Sequence, residues 1–153
     1  MAARAQKSPL TITHHNGAGA NKMSNFKLDL SNNNVIHTLQ AAVSDKASAL
    51  YSEYWELHGT EAYTDAKGFA LLVERAEQLL AYAQLDVAYW TQSHKDWSAL
   101  EDRDSAVDRA TAAVRRAEIA KYKAVCDEKA EHLADQKELY TDARRQERAQ
   151  RNS

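Results

Sequence analysis

The sequence predicts an all-α protein: an elongated three-helix bundle, or antiparallel coiled-coil hairpin, with a flexible N-terminal arm. Three observations predict it. Apolar residues recur at steps of three and four over long stretches, as one buried helix face requires. The 153 residues include only one proline and four glycines, and neither residue occurs after Gly68. The rest is rich in Ala, Glu, Lys, Arg, Leu and Gln, which favour helix. A chain of this length fits one domain. We expect an arm over residues 1–33 and a single helical domain over residues 34–150.

The central helix is the most legible. Phe69, Leu72, Ala76, Leu79, Ala83, Val87, Trp90, His94 and Trp97 share one face. Val73, Leu80, Tyr82, Leu85 and Tyr89 widen that stripe, while Glu74, Glu77, Gln84 and Gln92 lie opposite. A stripe so wide suits a helix with two neighbours. We place this helix at about 64–97, with Thr60 or Thr64 as its cap.

Before it, residues 14–21 show no periodicity and have little to bury. Phe26, Leu28 and Leu30 alternate with Lys27 and Asp29, a strand-like pattern too short to stand alone. Asn32, Asn33 and Asn34 can cap a first helix at about 35–57. Its stripe is Ile36, Leu39, Val43, Ala47, Leu50, Tyr54 and Leu57. Gly59 is placed to end it in a left-handed conformation.

After the central helix, Ser98 and Glu101 have capping-box spacing, and Ser105 with Asp108 is a poorer copy. They mark a turn and a third helix at about 100–148; the rival is one unbroken helix. The first part of the third helix carries Val107, Ala110, Val114, Ala117, Ala120 and Ala124, small enough to let backbones approach. Its second part carries Tyr122, Cys126, Leu133, Leu139 and Tyr140 among alternating charges, where i,i+4 pairing adds little.

The three helices are about 35, 50 and 75 Å long at 1.5 Å per residue. Lengths so unequal predict an overhang. The third helix should run past the bundle from about His132, exposing Leu133, Leu139 and Tyr140. At the other end, Tyr89, Trp90, His94 and Trp97 should meet only the start of the third helix. Aromatic residues in such positions are candidate partner anchors. The expected function is therefore a non-enzymatic protein–protein interaction or assembly module, a scaffold, adaptor or inhibitor that also self-associates.

The formal charge of −2 is unevenly spread, with net +3 over residues 1–52, −7 over 53–102 and +2 over 103–153. An acidic middle and a basic end favour head-to-tail contact or a basic partner, although solvated surfaces look the same. The tail carries Arg144, Arg145, Arg148 and Arg151 against Glu147. It supports an alternative reading as a nucleic-acid accessory protein. Cations at a helix C-terminus also complement the helix dipole with no ligand at all, and that reading outweighs the first.

No catalytic motif is present: no Gly-x-Ser-x-Gly, phosphate-cradling loop, Cys-x-x-Cys or His-Glu-x-x-His. We expect no cofactor and no metal. Glu128, His132 and Asp135 fall on one helix face and form the best metal-like group, yet Lys129 and Lys137 flank them as on a solvated surface. His14 and His15 read as linker, and His94 as an aromatic neighbour of Trp90 and Trp97. Cys126, the only cysteine, reads as a small core residue. A single unpaired cysteine and the lack of a long apolar run point to the cytoplasm and away from membranes. Residues 1–22 have no apolar core of a secretory signal, and Arg4 alone gives them little transit-peptide character. Met23 offers an alternative start.

Overall fold

The computed structural model describes residues 29–58, 65–100 and 103–153. Among them are three α-helices and no strand: α1 Asn33–His58, α2 Ala66–Ser98 and α3 Ala106–Arg151. The helix ends follow local chemistry. Asn32 Oδ1 accepts the Asn34 amide at 2.9 Å and opens α1. Asp65, not Thr60 or Thr64, caps α2: its Oδ1 accepts the Gly68 amide at 2.9 Å. Ser105 and Asp108, the poorer of the two capping boxes by sequence, are the pair that opens α3. Ser98 is instead the last residue of α2. Gly59, Thr60, Thr64 and Glu101 lie outside the described residues.

α2 is the middle element. It packs along both α1 and α3, whereas α1 and α3 make almost no close approach to each other. The fold is therefore two antiparallel hairpins sharing α2. In the first, His37 meets Tyr89 and Tyr51 meets Arg75, early residues against late ones. In the second, Trp90 meets Tyr122 and the Ala66 amide meets Glu147.

The inward face of α1 is the one its sequence predicts, with one substitution. Ile36, Val43, Ala47 and Leu50 are buried, but Gln40 is buried where Leu39 is only half-buried. Ile36 and Val43 form the core cluster with Ala81 and Leu85, and Leu30 packs against it. Phe26 and Leu28, the other apolar residues of the expected arm, lie outside the described residues. Ile36 and Leu85 are the largest fully buried side chains, so this core is thin.

The first part of α3 turns a different face inward from the one expected, whereas Tyr122, Cys126, Leu133 and Tyr140 of its second part lie on the observed inward face. Val107, Ala110, Val114, Ala117, Ala120 and Ala124 are all exposed, Val107 at 74%. The partly buried row is Asp108, Ala112, Arg115, Ile119, Tyr122 and Cys126. It continues through Lys129, Leu133, Gln136, Tyr140, Ala143 and Glu147. Its steps alternate four and three for the full length, the spacing of a heptad seam. One residue is 100° of helix rotation, so choosing 108 over 107 turns the alanines outward. Area decides the choice: Tyr122, Leu133, Tyr140 and the Arg115 stem cover far more of α2 than alanines can.

The expected overhang at the C-terminal end does not occur. Ala66, the first residue of α2, donates its amide to Glu147 Oε1 at 3.0 Å, so α3 ends level with the start of α2. The register set by Ala66–Glu147, Trp90–Tyr122 and Ser93–Arg115 leaves the first two turns of α3 beyond the end of α2 instead.

Candidate functional site

The aromatic end of α2 is occupied by the chain itself. The Tyr89 ring lies 5.0 Å from the His37 ring of α1. Trp90 stacks on Tyr122 of α3, with centroids 5.7 Å apart and planes 15° from parallel. Trp97 carries two guanidinium groups, Arg103 at 4.8 Å and Arg115 at 5.1 Å from its centroid. The His94 ring stacks beside Trp97 at 6.1 Å. Arg115 also donates to Ser93 Oγ at 3.3 Å. Tyr89, Trp90, His94 and Trp97 are each half-buried in these contacts. Of the other anchor candidates, Leu133 and Tyr140 are half-buried in the α3 seam and Leu139 is exposed at 44%.

A second aromatic group lies on the α1–α2 hairpin and was not among the sequence candidates. Tyr51 and Trp55 are 42% and 48% exposed, and Tyr82 of α2 is 39% exposed. The Tyr51 and Trp55 rings meet edge to face at 5.8 Å, and the Arg75 guanidinium sits 4.5 Å from the Tyr51 centroid. Tyr51, Tyr82 and Arg75 border an open cleft of about 260 Å³ floored by Val43, Ala47 and Leu79. That is at or below the lower limit for small-molecule sites, and its lining has no convergent charged or nucleophilic pair. The signal was available: Tyr51 and Trp55 are four apart and fall off the α1 stripe.

The basic tail is arranged as a surface. Arg144, Arg145 and Arg148 surround a shallow depression with Tyr140 and Thr141. Arg144 donates to the Tyr140 hydroxyl at 3.1 Å, which holds its guanidinium still more firmly charged. Arg145 pairs with Asp142 at 3.1 Å and Arg151 with Glu147 at 3.8 Å, two helical ion pairs the sequence reading passed over. The row extends far beyond the tail. Arg109, Arg116, Lys123, Lys137, Arg144 and Arg151 are all exposed and occupy one heptad position of α3, interrupted only by Ala130. Because the buried seam keeps heptad spacing, this row keeps a constant side of the molecule.

The remaining candidates do not assemble. Glu128, His132 and Asp135 are exposed, and no group of three His, Cys, Asp or Glu among the described residues is arranged to hold a metal. His94 Nδ1 is shielded yet has no hydrogen-bond partner among the described residues, so nothing there orients it as a base. Burial pushes the Cys126 thiol up, and the Asp127 and Asp86 carboxylates push it further, the opposite of an activated nucleophile. No helix among the described residues is long and apolar enough to cross a membrane. No family model, curated protein or solved structure matches the chain.

Proposed function

We propose that the protein is a non-enzymatic interaction and assembly module that associates with itself and acts in the cytoplasm. The observation that carries this reading is the exposure of Tyr51, Trp55 and Tyr82 together on one hairpin. Clustered aromatic rings are costly to leave in water and are the residue types most enriched at interface anchors. The reading centres the contact on these rings. Tyr89, Trp90, His94 and Trp97, the anchors expected by sequence, contribute only the edges their intrachain neighbours leave uncovered.

Light scattering across a protein concentration series tests it. The expected result is a species heavier than the 17.2 kDa chain, with Tyr51→Ser plus Trp55→Ser lowering the mass at a given concentration. A 17.2 kDa monomer at every concentration overturns self-association.

A second reading, contact with nucleic acid, is favoured by the basic row from Arg109 to Arg151. Phosphate contacts release counterions, so such binding weakens steeply with salt. A duplex oligonucleotide titrated at several salt concentrations is the probe. Replacing Arg144, Arg148 and Arg151 by Gln should flatten the salt slope. No binding at low salt removes the reading.

A further inference from the structure

We infer that copies of this chain join edge to edge, the exposed basic flank of α3 in one copy lying on the exposed acidic side of α1 in the next. The inference rests on the self-association proposed above and adds a contact away from the Tyr51–Tyr82 cleft. Each outer helix packs almost wholly on α2, so each presents its remaining sides to solvent. On α3 one flank, a residue past seam positions 108, 115 and 122, carries Arg109, Arg116 and Lys123 over residues 106–124, all exposed. The carboxylates of the same segment are engaged or turned aside: Asp108 is held by Ser105 and Arg103, and Glu118 is half-buried. On α1 the outward side carries Asp45, Glu53 and Glu56, all exposed, and its one lysine, Lys46, is drawn to Glu74 of α2 at 3.4 Å.

The two faces also match in length and relief. Residues 38–56 of α1 and 106–124 of α3 each span about 27 Å. Between the charges, α3 exposes Ala110, Ala113, Ala117 and Ala120, and α1 exposes Ala41, Ala42, Ser48 and Ser52. Side chains this small let two helix axes approach to about 8 Å.

Pairing α3 with α3 is less favourable. In a two-fold antiparallel pair the same helical rows face each other, which would bring Arg109 and Arg116 against the partner's Lys137 and Arg144. The α3–α1 contact joins unlike faces, so it builds rings or open chains rather than a closed two-fold dimer. One helix pair of this length is a small interface, so association is weak and concentration-dependent. Because exposed charges guide it, it is also screened by salt.

Charge reversal tests this with the full chain. One variant combines Arg109→Glu and Arg116→Glu; the other combines Asp45→Lys and Glu53→Lys. Circular dichroism confirms that each is helical, and light scattering is read for the wild type, each variant and their equimolar mixture. Expected are a wild-type mass that falls between about 0.05 and 0.5 M salt, monomers for each variant alone, and recovery of heavier species only in the mixture. Variants that keep the wild-type mass overturn the edge pairing and leave the assembly reading standing. So does a mixture that stays monomeric, or an α1 variant that still associates. A wild type that is 17.2 kDa throughout overturns both. A heavier mass that forms only when a duplex oligonucleotide is added also overturns the edge pairing, in favour of the basic row binding phosphate.

Discussion

Gln40 Nε2 donates to Asp86 Oδ1 at 2.7 Å, a polar contact that ties α1 to α2 from within their interface. Gln40 is only 9% exposed, so its amide has little access to water as an alternative partner. Hydrogen bonds to a charged acceptor contribute more than neutral ones, and the half-buried Asp86 carboxylate loses that contribution when its donor is removed. Gln40→Leu should therefore destabilise the fold by about 2 kcal/mol, read as a lower urea midpoint with an unchanged slope. Adding Asp86→Leu should recover part of the loss, because the orphaned carboxylate goes with it. Additive losses in the double variant would mean that the two residues are not coupled.

This contact illustrates what was legible and what was not. The α1 stripe was readable because Ile36, Val43, Ala47 and Leu50 are apolar and evenly spaced. Gln40 occupies the same heptad seam, but a hydrophobicity pattern cannot register a glutamine whose partner lies 46 residues away. The α3 seam failed for the same reason on a larger scale. It runs through Asp108, which closes the helix cap, and through the partly buried Arg115, Lys129 and Gln136, while the alanines that look like a core are too small to compete. Tyr122, Cys126, Leu133 and Tyr140, legible as apolar residues of the second part, share the true face with Ile119, and weighting residues by size extends that face into the first part. Of the site, the tail arginines were visible in sequence. Tyr51 and Trp55 were visible as residues off the α1 stripe, but how far they are exposed depends on α1 packing against one neighbour.

Trp97 is held by Arg103 from the α2–α3 connection and by Arg115 from α3. A cation over a partly exposed indole is worth about 0.5–1 kcal/mol. Arg115 also loses its Ser93 contact when truncated. Arg115→Met should keep most of the packed stem and cost about 1 kcal/mol, with Trp97 emission shifted to the red. Trp55→Phe should remove the most quencher-accessible fluorescence of the three tryptophans without such a loss. Equal quenching of Trp55 and Trp90 would contradict the stack of Trp90 on Tyr122.

The Ser105–Asp108 capping box opens the longest helix. Ser105→Ala should cost about 1 kcal/mol, and a Ser105→Asp variant should recover most of it. The pH dependence has a definite sign. The Ser105 hydroxyl holds the Asp108 carboxyl below its ordinary value, with help from the Ser105 amide and Arg103 and against some burial. A depressed folded-state value gives stabilisation that is complete above the unfolded-state value of 3.8 and is lost as pH falls through the lower folded value. Acid unfolding of Ser105→Ala should therefore be less steep through that window. An unchanged acid profile would show that the cap does not couple to Asp108.

Cys126 faces α2 in the α3 seam, partly buried, with the Asp86 and Asp127 carboxylates nearby. The thiolate is the reactive form, so burial and negative neighbours both slow its chemistry at neutral pH. Alkylation by iodoacetamide should be well below that of a free cysteine and should rise to the free rate in urea. Asp86→Asn removes one of the two carboxylates and also exchanges the acceptor of Gln40 for an amide. It should speed alkylation even at urea concentrations too low to unfold the chain, because the thiolate is then less opposed. A rate that already matches free cysteine in the native protein would place Cys126 outside the seam. It would break the heptad spacing from Asp108 to Glu147 on which the orientation of α3, and with it the exposed basic row, depends.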